Sequence, residues 1–529
     1  MSSSLYLLPL ILLVLVALPL PQAVVADSTV DTECSIVDTS VLDPNLVEMK
    51  YDLDDGNGEQ TFMAYVEPDV STFYKISNEE EDDGSDSQEQ KYQKVVPKFN
   101  GLAGRFINMS NQRLTFYWES RKNGPAHVMR IYDPFSNGGT GTFPGHRFFF
   151  SPEDDPTKRV EEFVVKDYPQ NYYVYDPYKV EGDPEQTEKN LQGNLTKDER
   201  AQYDKWAKTL KFNDAYMDTT GRSYLANYGE SFRDPPSHFM WPANYFGEEH
   251  WVTTKETHFA NVPPKEKLGK ITMAGSARIL KENDKRILQE YRVPDQTTMN
   301  MTLKVLSVAP RVFEIPNFLS KAEIDHILDI AGGIELKEST TGDVGSNAAT
   351  KKVDPDAGRT KTRTSFNSWV PREDSPIIDA IYRRAADLAR IDEALLRPRS
   401  SDEYPNLATK KSVSESLQLV HYGPGQEYTA HHDFGYSNIN DNVHGARFAT
   451  ILFYLNEGMD GGETSFPRWV NGESFHKLKV APEAGKAVLF YSQLPDGNMD
   501  DFSQHAAEPI IEGEKWLINL WIWDPVYEK

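Results

Sequence analysis

Two residues near the C-terminus have types and a spacing that suit metal binding. His431 and Asp433 lie two positions apart, so both side chains project from one face if this segment is a β-strand. With a distant second histidine they would present two imidazoles and one carboxylate, a set that suits iron(II) and leaves positions open for a cosubstrate and dioxygen. The pair alone is weak support, because the chain has 12 histidines. His432 leaves the register open, since it would point to the opposite face.

The sequence around this pair resembles the prolyl 4-hydroxylase branch of the 2-oxoglutarate dioxygenases. Six motifs occur in the order that the family has: E-S-L-Q-L-V-H-Y-G-P-G-Q-E-Y-T-A-H-H-D at 415–433, R-F-A-T-I-L-F-Y-L at 447–455, G-G-E-T-S-F-P at 461–467, P-E-A-G-K-A-V-L-F-Y at 482–491, D-F-S-Q-H at 501–505 and G-E-K-W at 513–516. Segments 318–320 and 363–365 also fit, so the resemblance spans roughly residues 309–526. Together these motifs are highly specific.

The resemblance implies a function for individual residues. The residues that match the family's iron ligands are His431, Asp433 and His505, and the position of Tyr422 nine residues upstream favours His431 over His432. Lys515 matches the cation that binds the far carboxylate of 2-oxoglutarate, where a buried carboxylate needs a charged partner. The remaining matches are two hydroxyls that help to hold this carboxylate, and one aromatic position near the site: Tyr422, Thr464 and Trp521.

The same resemblance implies the reaction. Fe(II), 2-oxoglutarate and dioxygen would hydroxylate a peptidyl residue, with release of succinate and CO2, and ascorbate would support the enzyme. Proline in an extended peptide is the expected substrate, and lysine or another side chain is the alternative. Arg363 and the polar segment 338–362 could contact the substrate, although a solvated loop is the simpler interpretation of that segment. The resemblance implies an enzyme similar to procollagen-proline 4-dioxygenase, but the heterotetramer and collagen specificity of collagen-type enzymes are not carried over, because the sequence shows neither their cysteines nor an evident helical peptide-binding domain.

The elements that must position these residues follow from the apolar pattern. Helices are predicted from a capping box at Ser320 and Glu323, and over 376–389. Strand-length apolar runs then follow at 417–422, 448–455, 487–491 and 516–523. Two helices before an antiparallel sheet predict a double-stranded β-helix, or jelly roll, over 305–529.

The N-terminal half is predicted to contain a β-sandwich over 95–180. Short strands are indicated at 113–118, 127–132, 146–150 and 161–165, with a turn-rich stretch over 133–139. Residues 181–304 are expected to be mixed helical and irregular, with a helix over 196–210 and another near 277–291. The fold class is therefore mainly β with flanking helices.

The sandwich resembles the β domain of the von Hippel–Lindau protein, through F-I-N-M-S at 106–110, Trp118 and T-F-P-G-H-R-F at 142–148. The resemblance aligns Trp118, Thr142 and His146 with residues that recognise hydroxyproline. Phe148 stands where that family has Trp, and we expect Trp118 and Phe148 to be sandwich core. The resemblance also suggests that the sequon at Asn108 arose by chance. A hydroxyproline-peptide binding protein is therefore the alternative function.

Composition and the N-terminus bear on partners and location. Lys and Arg number 56 against 81 Asp and Glu, a net charge of −25, which disfavours nucleic acid as a partner. The apolar segment 1–26 predicts a signal peptide or membrane anchor, ahead of a segment at 27–94 with an acidic linker at 77–90. Sequons at Asn108, Asn194 and Asn300 agree with a secretory glycoprotein in the endoplasmic reticulum lumen, in its membrane (type II), or secreted. Cys34 is the only cysteine, so no intrachain disulfide can form.

Overall fold

The computed structural model describes residues 46–53, 56–66, 102–122, 124–166, 172–225, 235–264, 268, 289–339, 363–400, 402–434, 444–470 and 477–527. The segment predicted for targeting at 1–26, Cys34 and the acidic segment at 77–90 lie outside these residues. Most of the loop predicted at 338–362 and of the helix predicted near 277–291 lies outside them as well. Within the described ranges, no helix combines the length and apolarity that crossing a membrane requires.

The first described element is a hairpin of β1 (Leu46–Asp52) and β2 (Glu59–Tyr65), paired antiparallel from Leu46 opposite Tyr65 to Asp52 opposite Glu59. The connection between the strands includes Gly56 and Gly58, both at positive φ, a conformation that glycine adopts without a steric penalty. Met49, Ala64 and Tyr65 are buried. A two-stranded hairpin is marginally stable alone, so this buried face needs a partner elsewhere in the fold.

Seven strands form the predicted sandwich, and all of them are short: β3 (Leu102–Asn108), β4 (Leu114–Glu119), β5 (Ala126–Tyr132), β6 (Ser136–Thr142), β7 (Arg147–Pro152), β8 (Glu161–Val164) and β9 (Tyr172–Tyr175). One sheet has the order β6-β3-β9 and the other β5-β4-β7-β8. Their shared core is aromatic, with Phe106, Phe116, Phe148 and Phe150 buried together. The β-sandwich prediction is confirmed, and Phe148 lies in its core as expected.

One sandwich segment differs from the prediction. The stretch predicted as turn-rich at 133–139 contains the first four residues of β6, which pairs with β3 along its whole length. The two adjacent glycines in it suggested a turn, but Gly138 has a different reason to be there. A Cβ at that position would lie 2.6 Å from the Tyr132 hydroxyl, so only glycine allows this close approach.

Two helices follow the sandwich: α1 (Pro184–Asn194) and α2 (Lys197–Thr220). The capping box predicted at Thr196 and Glu199 is present. α2 runs ten residues beyond the predicted end at Leu210, because buried Phe212, Tyr216 and Thr220 extend the apolar face at helical spacing, and Gly221 then ends it at φ 72°.

Fifteen further strands belong to the C-terminal part: β10 (Glu249–Thr254), β11 (Met299–Ser307), β12 (Val312–Ile315), β13 (Lys337–Glu338), β14 (Phe366–Val370), β15 (Leu417–Tyr422), β16 (Tyr428–His431), β17 (His444–Tyr454), β18 (Asp460–Gly461), β19 (Thr464–Val470), β20 (Lys477–Val480), β21 (Ala487–Tyr491), β22 (His505–Ala507), β23 (Ile510–Glu512) and β24 (Lys515–Pro525). The major sheet has the order β10-β11-β12-β21-β17-β24-β15-β14-β13, and a smaller sheet has the order β16-β22-β19-β20. β18 and β23 pair separately. These sheets form the predicted jelly roll.

The major sheet starts earlier in the chain than the sequence indicated. β10 and β11 pair antiparallel from Glu249 opposite Lys304 to Thr254 opposite Met299. Most of both strands therefore falls in the segment 181–304 that was expected to be a mixed connection. The sequence around β10 is aromatic and rich in Gly and Pro, which hides a strand whose partner lies about 50 residues away.

Two helices cover the major sheet: α3 (Lys321–Gly332), with the predicted capping box, and α4 (Pro376–Ala389), with the predicted bounds. They are joined by Arg384, whose guanidinium donates to both carboxylate oxygens of Glu323 at 2.7 and 2.8 Å. Both side chains have no exposed surface. A buried ion pair with matched geometry keeps its partners in one arrangement, because removing either partner would leave an uncompensated charge.

Candidate active site

Three potential metal ligands meet between the sheets. His431 ends β16 and His505 begins β22, and the two residues are paired opposite each other in the smaller sheet. Asp433 follows two residues after His431. One ligand atom from each of the three side chains lies within 4.8 Å of the other two. The carboxylate is 3.6 Å from His431 Nε2 and 3.5 Å from His505 Nε2, so all three groups face a common point.

Backbone carbonyls set the orientation of both imidazoles. His431 Nδ1 lies 2.9 Å from the Thr429 carbonyl oxygen, and His505 Nδ1 lies 3.0 Å from the Ser503 carbonyl oxygen. A carbonyl only accepts, so each Nδ1 carries the proton and donates it. Each Nε2 therefore keeps its lone pair toward Asp433, which is the tautomer that a metal ligand requires.

The protonation states also suit a metal. Burial, with a contribution from His505, holds the pKa of His431 well below its ordinary value, so this imidazole is neutral at physiological pH. Burial alone would raise the pKa of Asp433, but the interactions with His505 and His431 outweigh it and hold this pKa well below the usual range. A neutral imidazole and an ionised carboxylate are the forms that bind metal ions. The donor set fits Fe(II).

Two further donors fix Asp433. Thr450 Oγ1 donates to Asp433 Oδ2 at 2.8 Å, and Trp521 Nε1 donates to the same oxygen at 2.9 Å. The guanidinium of Arg447 stacks on the Trp521 ring at 3.9 Å and forms two hydrogen bonds to Glu415. Two neutral donors thus hold the carboxylate, and Arg447 holds the Trp521 ring that carries one of them, which is how outer groups orient metal ligands.

Sequence reasoning gave no function to Thr450 or Arg447, although both lie in a quoted motif. The alternation of residues along β17 could have indicated that Thr450 faces the site. Thr450, Leu452 and Tyr454 alternate along one face of β17, and Leu452 and Thr464 line the same cavity. Thr450 is the polar residue in this apolar series, and a buried hydroxyl on a strand face needs a partner.

A cavity opens beside the three ligands. Its lining includes every site residue that the sequence predicted: Tyr422, His431, Asp433, Thr464, His505, Lys515 and Trp521. Lys515 is fully buried, and its Nζ donates to the Gly462 carbonyl at 2.5 Å. Gly462 has φ 75°, and a Cβ there would lie 2.4 Å from Ile510 Cδ1. The positive φ and the nearby Ile510 side chain therefore favour glycine in the turn whose carbonyl binds the lysine.

The cavity wall around Lys515 combines aromatic rings and hydroxyls. Nζ lies 5.6 Å from the Tyr422 ring centre and 5.5 Å from that of Tyr454. Tyr454 donates its hydroxyl proton to Thr464 Oγ1 at 2.8 Å. Burial lowers the pKa of Lys515 to about 7, although the charge of Glu463 acts in the opposite direction. The arrangement therefore provides a buried cation that an entering carboxylate would stabilise.

Arg363 and Tyr428 also line the cavity, and they form an isolated bridge between their backbones. The Arg363 guanidinium lies over the Tyr428 ring at 4.6 Å, and that ring stacks on His431 with centres 3.5 Å apart. Tyr428 packs against the apolar core beside the cavity and also lines the cavity.

Known proteins share this C-terminal part. The 2OG-Fe(II) oxygenase superfamily matches residues 417–523. The probable prolyl 4-hydroxylase 3 of Arabidopsis thaliana is 33% identical over 234 residues, which cover 41% of this chain and 71% of the relative. Prolyl 4-hydroxylase 13 of the same plant is 31% identical over 239 residues, covering 43% and 77%.

The chain belongs to the prolyl 4-hydroxylase family of 2OG-Fe(II) oxygenases. It is an Fe(II)- and 2-oxoglutarate-dependent dioxygenase. A solved viral collagen prolyl hydroxylase, from Paramecium Bursaria Chlorella virus-1, is 24% identical, and the match covers 40% of this chain and 95% of the viral one with a TM-score of 0.27.

Several other described histidines of the dioxygenase have structural partners. His421, on the strand that carries Tyr422, pairs with Glu514 at 2.9 Å and is not among the residues that line the cavity. His250 and His258 bond to backbone carbonyls of Pro242 and Phe318. His432 is half-buried and is not among the residues that line the cavity, so the structure favours His431 as the ligand.

The residues of the von Hippel–Lindau resemblance lie at one end of the sandwich. The Trp118 ring is half-buried, 5.5 Å from His127 and 5.9 Å from His146. Thr142 Oγ1 lies 3.2 Å from His146 Nδ1. Trp118 was expected to be core and is only at its border, because the outer strand β5 leaves that face open. Hydroxyproline binding here stays a prediction.

Proposed function

We propose that this dioxygenase hydroxylates prolyl residues of a peptide or protein. Fe(II) would be held by His431, Asp433 and His505, and 2-oxoglutarate by Lys515 with Tyr422 and Thr464. The observation that carries this proposal is the single cavity that contains both sets, with the three ligands and the buried lysine on one lining. Relatives named prolyl 4-hydroxylases support proline as the target.

The residues of the chain contribute binding, orientation and exclusion of water. When bound, the iron couples oxidative decarboxylation of 2-oxoglutarate to hydroxylation of a substrate C–H bond by dioxygen. Thr429 and Ser503 carbonyls keep each Nε2 unprotonated, and Thr450 and Trp521 fix Asp433. Lys515 pairs with the far carboxylate, whose charge restores the full protonation of the lysine. The aromatic walls keep the reacting centre dry.

The cavity mouth supports an extended, proline-containing segment as substrate. Arg363 and Tyr428 offer a guanidinium over an aromatic ring, and the Trp521 ring lies 5.9 Å from exposed Trp369. Proline rings pack well on aromatic side chains, and polyproline II segments lose little entropy on binding. Ascorbate as a supporting reductant belongs to the same proposal, on family grounds.

The proposal is tested by succinate release from 2-oxoglutarate with proline-rich peptides, comparing wild type with His431→Ala. The wild type is expected to release succinate and to add one oxygen atom to proline, located by mass spectrometry, and the variant to do neither. His421→Ala is a matched control, since His421 lies outside the cavity. Full turnover by His431→Ala would overturn the ligand set, and oxygen on lysine would change the substrate class.

We also propose that the chain enters the secretory pathway through residues 1–26, remaining in the endoplasmic reticulum lumen or membrane. Glycans are expected at exposed Asn194 and Asn300. Asn108 is expected to stay unmodified, because it is fully buried and its amide donates to the carbonyls of Gln112 and Asp133. Expression in secretory cells, glycosidase treatment and peptide mass mapping test this. A glycan at Asn108, or none at the other two sites, contradicts it.

A further inference from the structure

A buried polar cluster connects the N-terminal part of the chain to the segment that precedes His505. At its centre is Asp496, whose Oδ2 accepts hydrogen bonds from the Tyr216 hydroxyl, from the Tyr65 backbone N–H at 3.3 Å and from Arg222 at 3.4 Å. Asn498 donates its amide to the Tyr216 hydroxyl at 2.5 Å. The donors come from β2, from α2 and from the turn that follows α2.

The whole cluster is shielded from solvent. Asp496 has no exposed surface, Tyr216 and Asn498 each have 1%, and Arg222 has 5%. A buried carboxylate that is bonded to a guanidinium and a phenol cannot leave these partners without a large desolvation penalty. These contacts therefore fix the position of the segment around Asp496 relative to α2.

The segment from Asp496 leads directly to one metal ligand. A turn is closed by the hydrogen bond from Leu494 N to the Asn498 carbonyl at 2.7 Å. Asp500 then bonds to Ser503, whose hydroxyl donates to the Asp500 carbonyl at 2.7 Å. The Ser503 carbonyl accepts the proton of His505 Nδ1. The cluster is thus followed along the chain, within ten residues, by hydrogen bonds that end at the atom that sets the tautomer of His505.

A second connection reaches Asp433. Phe434, the next residue, is fully buried in one apolar cluster with Phe212, Tyr216 and Tyr224, which belong to α2 and the residues after it. Met499 joins the same cluster. Both segments that carry a ligand are therefore packed on α2 and the N-terminal hairpin, which lie outside the residues 417–523 that match the superfamily.

We infer that α2, with the hairpin β1–β2, is a positioning element of the metal site, and that Tyr216 and Arg222 act on His505 through Asp496. The inference rests on the proposed ligand set. It assigns to the N-terminal part a contribution to metal affinity that lies outside the matched catalytic part of the chain. Loosening the cluster is expected to widen the distribution of His505 positions and to weaken metal binding.

The test is Co(II) titration of the metal-free full-length protein, followed by the cobalt absorption bands. Tyr216→Phe removes only the hydroxyl that donates to Asp496. It is expected to weaken Co(II) binding about tenfold and to change the absorption bands, as loss of outer support of a ligand does. Tyr203→Phe is the matched control, because Tyr203 is buried on the same helix and donates to Asp176 at 2.8 Å, away from the cluster.

Four outcomes decide the inference. The inference is supported if Tyr216→Phe binds Co(II) more weakly than wild type and Tyr203→Phe does not, even if the two variants lose equal thermal stability. Unchanged affinity in a folded Tyr216→Phe overturns it. If that variant does not fold, Asn498→Ala, which removes one donor at the edge of the cluster, replaces it with the same two outcomes. His505→Ala tests the ligand set separately: unchanged Co(II) affinity there refutes the proposed ligands and with them this inference.

Discussion

Lys515 has an unusual environment for a lysine. It is fully buried, and its neighbours are the Gly462 carbonyl and the rings of Tyr422 and Tyr454. Transferring an ammonium ion into such surroundings disfavours the charged form, which explains why its pKa falls to about 7. A bound dicarboxylate would reverse this shift, because opposite charges at short range stabilise each other.

This leads to a prediction on pH. Above about pH 7 the unliganded protein increasingly holds Lys515 neutral, so 2-oxoglutarate binding must take up a proton. Its affinity is then expected to fall by up to about tenfold per pH unit above 7. Calorimetry of the anaerobic Fe(II) protein, in buffers of different ionisation enthalpy, measures both the affinity and the proton uptake.

Lys515→Arg is the control for this effect. The larger guanidinium in a buried site is expected to lower the affinity of this variant for 2-oxoglutarate. Because the guanidinium stays protonated, that affinity is expected to be independent of pH between 7 and 9. A wild-type affinity that is constant over the same range, with no proton uptake, would show that Lys515 remains charged in the empty site.

At the scale of elements, strand register decides which side chains meet. Pairing of β17 with β24 sets Thr450 opposite Trp521, and both donate to the same oxygen of Asp433. Pairing of β15 with β24 sets Tyr422 opposite Lys515. A shift of one residue in either pair would turn these side chains to the other face. The metal support and the cation site therefore depend on one strand, β24.

Removing one of the two donors should weaken the metal site. Trp521→Phe keeps the ring stack with Arg447 but deletes the N–H that bonds to Asp433 Oδ2. A hydrogen bond to a charged group contributes about 1.5–3 kcal/mol, so metal affinity is expected to fall about 10- to 100-fold. Mn(II) titration measures this. Trp251→Phe, at an exposed position on β10, should bind as wild type; equal loss in both variants would contradict the assignment.

At the scale of the whole molecule, separate cores are packed in series. The sandwich has its own aromatic core, a second cluster joins the sandwich to α1 and α2 through Ile107 and Trp206, and a third joins α2 to the catalytic part. The helices α1 and α2 are therefore the link between the two β-rich parts. A substitution that destabilises only the sandwich core is therefore not expected to change the metal site.

Phe106→Ala tests this separation. Phe106 is fully buried and its ring centre lies 4.5 Å from Phe116 and 4.9 Å from Phe148. The cavity should lower the free energy of unfolding by about 3–5 kcal/mol in urea titrations. Metal affinity below the transition should not change. The control is Val128→Ala at an exposed position, which should alter the free energy of unfolding by less than about 0.5 kcal/mol. Reduced metal affinity in Phe106→Ala would contradict the separation and mean that the cores are coupled.

Much of this molecule could be predicted from sequence. The capping boxes at Thr196 and Ser320, the bounds of α4 and the apolar strand runs are local patterns, in which a residue and its neighbours within one turn or one strand carry the signal. The seven predicted site residues, which line one cavity, could be proposed because they lie in motifs of fixed spacing. β6, β10 and the second half of α2 were missed, because their stability comes from partners that are distant in the sequence.

The sequence by itself, through its resemblance to the prolyl 4-hydroxylases, predicted the chemistry: iron ligands at 431, 433 and 505 and a cation for a carboxylate cosubstrate at 515. Only the tertiary structure decided what holds them. Thr450, Arg447 and Asp496 carry no motif of their own that names a partner, and Asp496 meets Tyr216 across 280 residues. The reason is physical: buried polar groups must find partners, and strand register and core packing decide which ones are within reach.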